Sequence, residues 1–423
     1  MKATDNYKRP IVVVTGMGLI TSLGAGKDAN WKSLIAGRSG IRQIKRFATD
    51  GLKTTIAGTI DDLFPSSFLP TDLSYALAEY AISEALEQSS NKADRGFQGP
   101  LFIAVPPVEL EWSVRQALAK GIPIESPVTY RELTEATFGQ RPDLHAKFVM
   151  GAIADRVAQR FGTSGAPVSI STACASGATA IQMAVEAIRQ GEAEKALAVG
   201  TDGSITTESL IRFSLLSALT TQNENPSQAS KPFSKNRDGF VMAEGAAALV
   251  LESMESAHKR GAEILGIMAG CGERADSFHR TRSNPNGAAV VGALQNALND
   301  AGIKPSQIDY INAHGTSTPE NDRLESFVCG QIFGDRMSIM PISSNKSMIG
   351  HTLTAAGAVE AVISFLTIQN GILPPTINYH EPDQSIELDT VPNIARMQKV
   401  STIMSNSFGF GGQNTSLILS EPP

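Results

Sequence analysis

Pro167-Val168-Ser169-Ile170-Ser171-Thr172-Ala173-Cys174-Ala175-Ser176-Gly177 joins a short apolar strand to an alanine-rich helix that begins near Ala178. A strand feeding a helix is the repeating unit of an α/β fold. The junction also holds a lone cysteine, where the unpaired N–H groups of a helix's first turn favour negative charge. A thiol so placed is expected to ionise below the roughly 8.5 of a free cysteine, which makes Cys174 a candidate nucleophile. The competing role is that of a small buried hydrophobe, the usual fate of a free cysteine.

Upstream, residues 11–14 read as a buried strand stopped by Gly16 and Gly18. These glycines do not complete a dinucleotide fingerprint, because Thr21 stands where the third glycine belongs. Helical spacing predicts helices over 28–36, 73–86 and 148–161. Residues 97–150 read as an insertion that covers something: a strand over 101–105, Pro106-Pro107, an acidic-aromatic helix over 109–120 and a proline-bearing polar stretch. Downstream come a helix over 178–190 ended by Gly191, a strand over 195–200, a polar surface loop over 222–239 and a strand over 246–251.

The second half repeats this plan, with strands over 264–269, 308–313 and 339–343 and helices over 288–301 and 322–332. A boundary near 255–265 divides the chain into halves 1–260 and 261–423. The clearest echo sets Ser169-Ile170-Ser171 and its small-residue helix beside Ile342-Ser343-Ser344 and the helix of Thr354-Ala355-Ala356-Gly357-Ala358-Val359-Glu360. Small residues allow close approach, so these two helices are expected to pack together at the centre of a pseudo-symmetric pair.

Composition bounds the chemistry. The chain has 423 residues, 42% hydrophobic and 18% charged, with a formal net charge of −6. No cluster of Lys and Arg marks a nucleic-acid surface, so small molecules or proteins are the expected partners. Three cysteines, Cys174, Cys271 and Cys329, with no C-x-x-C pair, suggest neither a disulfide framework nor a metal site and fit a reducing cytoplasm. No apolar run reaches the roughly 18 residues of a membrane span, and nothing resembles a targeting segment.

Other chemistry-bearing residues also gather where strands end. His314 follows the strand Tyr310-Ile311-Asn312-Ala313 and opens the hydroxyl-rich loop Gly315-Thr316-Ser317-Thr318-Pro319. The carboxyl end of a strand faces the crevice where α/β folds bind ligands. His351 closes Lys346-Ser347-Met348-Ile349-Gly350-His351, and Asn406-Ser407-Phe408-Gly409-Phe410-Gly411-Gly412 is a glycine-rich turn whose N–H groups suit an oxyanion. Taken singly, a histidine is by default a core or surface residue, a lysine a solvated charge and a G-x-G-G turn a tight loop. One cysteine and two histidines, each at a strand end amid small residues, form the signal. His145, His258, His279 and His380 keep the default.

Thr172-Ala173-Cys174-Ala175-Ser176-Gly177, Arg237-Asp238-Gly239-Phe240, His314-Gly315-Thr316-Ser317-Thr318-Pro319, the Lys346–His351 motif and the Asn406–Gly412 motif, in this order, resemble those of the β-ketoacyl-acyl-carrier-protein synthases. The likeness spans nearly the whole chain and is nearest to the type II condensing enzymes of fatty acid elongation. It implies the thiolase fold, two βαβαβαββ halves in a five-layered αβαβα core, as a homodimer without cofactor. It also implies decarboxylative condensation of an acyl group held on Cys174 with a malonyl group, both delivered by acyl carrier protein.

By the same resemblance the N–H groups of Cys174 and Phe410 hold the oxyanion, His314 and His351 bind the thioester oxygen as enolate charge develops, and Lys346 balances charge around them. Asp322 and Glu360 occupy supporting acidic positions, Thr316 and Thr318 contact the pantetheine arm, and Phe408 and Phe410 line the substrate path, Phe410 as a gate. Degradative thiolases carry a second cysteine in the C-terminal glycine-rich loop, which is absent from 406–412, and type III initiating synthases have Asn where His351 stands. Chain-length factors lack the cysteine, and a polyketide-type ketosynthase is the alternative. The chain departs from the family's usual Gly at Thr354 and Ala243, Thr at Gln413 and Arg at Ser217. Residues 54–90 contain no Lys or Arg, and 101–145 differ near the acyl pocket. These departures suggest a specialised carrier or acyl length.

Overall fold

The computed structural model describes residues 3–61, 63–65, 68–90, 96–107, 110, 114–115 and 142–423. Most of the helix expected over 109–120, and the polar stretch after it, lie outside the described residues.

In the first half, β1 (Val12–Thr21), β2 (Leu101–Ala104), β3 (Val168–Ile170), β4 (Lys195–Asp202) and β5 (Gly245–Ser253) alternate with α1 (Pro70–Gln88), α2 (Ala152–Phe161) and α3 (Ser176–Arg189). In the second, β6 (Gly266–Ala275), β7 (Tyr310–Asn312), β8 (Ile342–Ser343), β9 (Thr402–Phe408) and β10 (Gln413–Ser420) alternate with α4 (Ala288–Ala301), α5 (Pro319–Phe333) and α6 (Ala356–Asn370). Apart from one short strand beside β1, the path through the 11-stranded sheet is β8-β7-β9-β10-β6-β1-β5-β4-β2-β3. Read inward from either end, this is third, second, fourth, fifth, first. The directions match too: β2 is parallel to β3 and β4, as β7 is to β8 and β9, while β5 and β10 run antiparallel to their neighbours. The halves meet where β1 pairs with β6, at Val13 with Ile267 and Val14 with Gly266.

Alternation along the strands divides most of the apolar residues among three large cores. In β4, Ala196 and Ala198 face a central cluster that holds α3 and α6, while Leu197 and Val199 face an outer cluster with α1 and α2. A third cluster joins the outer face of β7 and β9 to α4 and α5. Helices thus cover both outer faces and fill the space between the two halves of the sheet, which is the five-layered thiolase arrangement. The sequence echo identifies the central pair correctly. A Cβ on Gly177 would lie 2.7 Å from the Ala358 nitrogen, and one on Gly357 2.5 Å from the Ala178 nitrogen. Gly177→Ala is therefore expected to cost about 1–3 kcal/mol through overpacking, read as a lowered denaturant midpoint.

Three expectations change. The first strand does not stop at its glycines: β1 runs through Gly16 and Gly18 because α1 packs on them, and a Cβ there would stand 2.1 Å from Ala85 O and 1.8 Å from Ala81 O. The stretch 222–239 is a surface loop only in its first part. From Ala229 onward it is largely buried, since the N–H of Lys231 donates to Ser317 Oγ and that of Phe233 to the Asp322 carboxylate. Finally, Leu353–Asn370 is apolar and long enough by composition to span a membrane, but 89% of it is buried inside the protein, as the central helix must be.

Candidate active site

The two central helices begin alike. Each follows a short 3-10 turn, Ala173–Ala175 before α3 and Leu353–Ala355 before α6, entered through a left-handed residue, Ala173 at φ 50° and Leu353 at φ 46°. The pseudo-symmetry therefore sets Cys174 opposite Thr354. Ser176 secures the first turn: its Oγ accepts from Thr172 N–H at 2.8 Å and donates to Ala173 O at 2.6 Å. Thr354 Oγ1 donates to the Asp202 carboxylate at 2.8 Å, at the end of β4. Burial pushes Asp202 up to about 6 despite the donors on it.

Cys174 Sγ and one ring nitrogen each of His314 and His351 lie within 4.8 Å of one another, and all three residues are buried. The rings stand edge to face at 5.4 Å between centroids. Phe240 packs on His351 at 5.2 Å and Phe408 on His314 at 5.5 Å. The backbone of Phe410, in the turn between β9 and β10, comes close enough to favour the charged form of Cys174. A Cys-His-His set can ligate a metal, but the Lys346 ammonium, 3.5 Å from His314 Nδ1, opposes a cation there.

Tautomers follow from these partners. An ammonium only donates, so His314 Nδ1 accepts from Lys346 and the ring proton sits on Nε2. His351 Nδ1 accepts from Leu353 N–H at 3.2 Å, which again leaves the proton on Nε2. That Nε2 is buried and has no partner among the described residues. The site thus offers two neutral N–H donors beside a sulfur. Burial, then Lys346, holds both imidazoles well below the ordinary 6.5, and His351 lowers His314 further. Malonyl decarboxylation at this site is therefore expected to change by less than twofold between pH 8 and 6. An unshifted imidazole would lose roughly three quarters of its neutral form over that range.

The thiol departs from the sequence-based expectation. Burial pushes Cys174 up to about 11, against the Phe410 N–H and the Lys346 charge. The helix terminus stabilises a thiolate, but burial penalises it more. Cys174 rests as a thiol.

Lys346 forms a buried ion pair with Glu360 and donates to His314 O at 2.7 Å. Burial raises Glu360 to about 7, with Lys346 opposing. Asp322 lies beneath the site rather than in it: it accepts from Phe233 N–H at 2.8 Å and faces Arg237 at 3.6 Å. Thr316 and Thr318 hydrogen-bond each other at 2.8 Å. Phe410 is half-buried over a pocket of about 170 Å³ that also exposes Cys174, Phe213, Leu353, Asp202 and Thr354. His258, His279 and His380 are exposed, and the His145 side chain lies outside the described residues.

Sequence reasoning missed Glu325. Fully buried one helical turn after Asp322, it accepts the N–H groups of His314 and Gly315, both at 2.8 Å, and so shapes the loop that carries His314. Its spacing from Asp322 puts both acids on one face of α5, the only signal in the sequence. Asp202 gave none.

Family models for Beta-ketoacyl synthase match both halves: the N-terminal domain over 9–75 and 121–257, the C-terminal domain over 265–380. The chain is 38% identical to the 3-oxoacyl-(acyl-carrier-protein) synthase 2 of Coxiella burnetii, covering 97% of this chain and 98% of that protein. It is 36% identical to the tetracenomycin polyketide synthase ketoacyl synthase alpha subunit of Streptomyces glaucescens, with 97% of each covered. Among solved structures, the AntDE:AntF complex, a type II polyketide synthase acyl-carrier protein with its ketosynthase, superposes with a TM-score of 0.84 at 32% identity, covering 98% of this chain and 100% of the other. Matched along nearly its whole length and in both of its halves, the chain belongs to the β-ketoacyl synthase family of condensing acyltransferases.

Proposed function

We propose that this chain is a 3-oxoacyl-acyl-carrier-protein synthase that elongates fatty acyl chains. The observation that carries this reading is the meeting of Cys174 Sγ with a ring nitrogen of each of His314 and His351 within 4.8 Å, both Nδ1 atoms being engaged by Lys346 and by Leu353 N–H. In the first half-reaction the Cys174 sulfur attacks the acyl thioester, and the N–H groups of Cys174 and Phe410 hold the tetrahedral oxyanion. The Cys174 proton passes to the departing pantetheine thiolate, so the exchange needs no net base.

In the second, malonyl thioester loses CO₂, and the electron pair of the broken bond becomes an enolate whose oxygen accepts from His314 and His351. The enolate carbon bonds to the acyl carbon and expels the Cys174 thiolate, which takes a proton from water. Lys346, paired with Glu360, orients His314 and keeps both rings neutral. Asp322 braces the segment beneath, Thr316 and Thr318 line the approach of the pantetheine arm, and Phe408 and Phe410 wall the path.

The likeness to the Streptomyces glaucescens subunit supports a polyketide-type ketosynthase as the second reading. Incubation with acyl- and malonyl-loaded carrier tests both. One molecule of CO₂ and one 3-oxoacyl carrier per acyl group is the expected result, repeated unreduced condensation indicates the second reading, and no new carbon–carbon bond contradicts both. A homodimer is supported by β3, a partly exposed edge strand with no outer neighbour among the described residues. Its counterpart β8 is covered, as Ile342 N–H donates to Asp389 O at 2.9 Å. A cytoplasmic location is supported by three free, buried cysteines.

A further inference from the structure

The loop after β6 presents Phe278, His279, Arg280 and Arg282 to solvent, and Phe278 is 53% exposed. It is bolted to the turn that reaches Cys174. Gly411 N–H donates to Arg280 O at 2.8 Å, Asp276 N–H donates to Gly412 O at 2.8 Å, and a Cβ on Gly412 would stand 1.8 Å from Asp276 O. Immediately before these anchors, Phe410 lines the pocket that reaches Cys174. The loop that carries these exposed basic side chains is thus held against the turn that bears Phe410.

The guanidinium groups of Arg280 and Arg282 make no hydrogen bond or ion pair among the described residues. The carboxylate nearest in sequence, Asp276, is occupied by the loop's own backbone, accepting from Phe278 N–H at 2.8 Å and Asn284 N–H at 2.7 Å. Residues 54–90 in the other half offer no basic group, and Arg46 beside them is bound to Asp61 and Glu244. The whole chain carries −6. A carrier that brings its thioester on a phosphodiester-linked arm and is itself acidic is repelled by such a surface except at a local positive patch.

We infer that the 276–286 loop is the docking surface for an acidic acyl carrier protein. Arg280 and Arg282 meet its carboxylates and the phosphodiester, and Phe278 forms the apolar centre of the contact. The inference rests on the carrier-linked substrate argued above. It places the electrostatic contact on the half that bears the histidines.

The test compares wild type with an Arg280→Glu/Arg282→Glu variant on octanoyl-loaded acyl carrier protein and on octanoyl-N-acetylcysteamine, which has neither protein nor phosphate. The expected result is a rise of about tenfold or more in KM for the carrier substrate. That rise shrinks in high salt as screening grows, and kcat/KM for the small thioester moves by less than twofold. An unchanged carrier KM overturns the docking surface while leaving the proposed function standing, and an equal loss on both substrates overturns it as a distortion of the Phe410 turn. Wild type that acylates from the small thioester but not from any carrier overturns both readings.

Discussion

Cys174→Ala is expected to lower condensation by at least about a thousandfold while malonyl decarboxylation continues. Removing a nucleophile forfeits the covalent route, and deletions of this kind cost about 10³–10⁶ in rate. The substitution removes one sulfur from a pocket wall that Ala173 also lines, so the fold is expected to persist. In the proposed mechanism the thioester oxygen that becomes the enolate meets His314 and His351, whose Nδ1 atoms are engaged by Lys346 and Leu353 and not by the thiol. Measured side by side, CO₂ release without 3-oxoacyl product is the expected signature. Full condensation by the variant removes Cys174 from the nucleophile's role.

His314→Ala is expected to reverse that pattern. Deleting one preorganised donor to a developing oxyanion costs about 10²–10³ in rate, or about 2.7–4 kcal/mol, so decarboxylation should fall by that factor. Transfer of the acyl group to Cys174 should fall far less, because its oxyanion rests on the backbone N–H groups of Cys174 and Phe410. The variant also frees Lys346 from Nδ1, but the ammonium keeps its ion pair with Glu360 and its bond to the backbone carbonyl of residue 314. Radiolabelled acyl transfer and CO₂ release, assayed separately, distinguish this from general disruption, which lowers both together.

The sequence exposed this site unevenly, for physical reasons. Cys174 and His314 were legible because each stands where an apolar strand runs out into small residues, a local pattern, whereas the strand expected before His351 ends at Ser343 and a short helix, Lys346–Ile349, intervenes. The pairing of α3 with α6 was legible as well, since Gly177 and Gly357 repeat a composition whose use is close contact. What depends on surroundings was not. The same kind of glycine at 16 and 18 serves packing inside a strand, because α1 lies 70–88 in sequence yet directly over β1 in space. The thiol's proton affinity follows from burial that no flanking residue announces. Glu325 and Asp202 read as ordinary charges until the chain folds them inward.

The central claim is that the sulfur of Cys174 carries the acyl group between two half-reactions. Its most direct test is intact mass and peptide mapping after brief exposure to octanoyl-loaded carrier without malonyl substrate. One octanoyl group per chain, located on the Cys174 peptide and discharged when malonyl carrier is added, is the predicted result. An unmodified Cys174, or acylation confined to Cys271 or Cys329, contradicts the account.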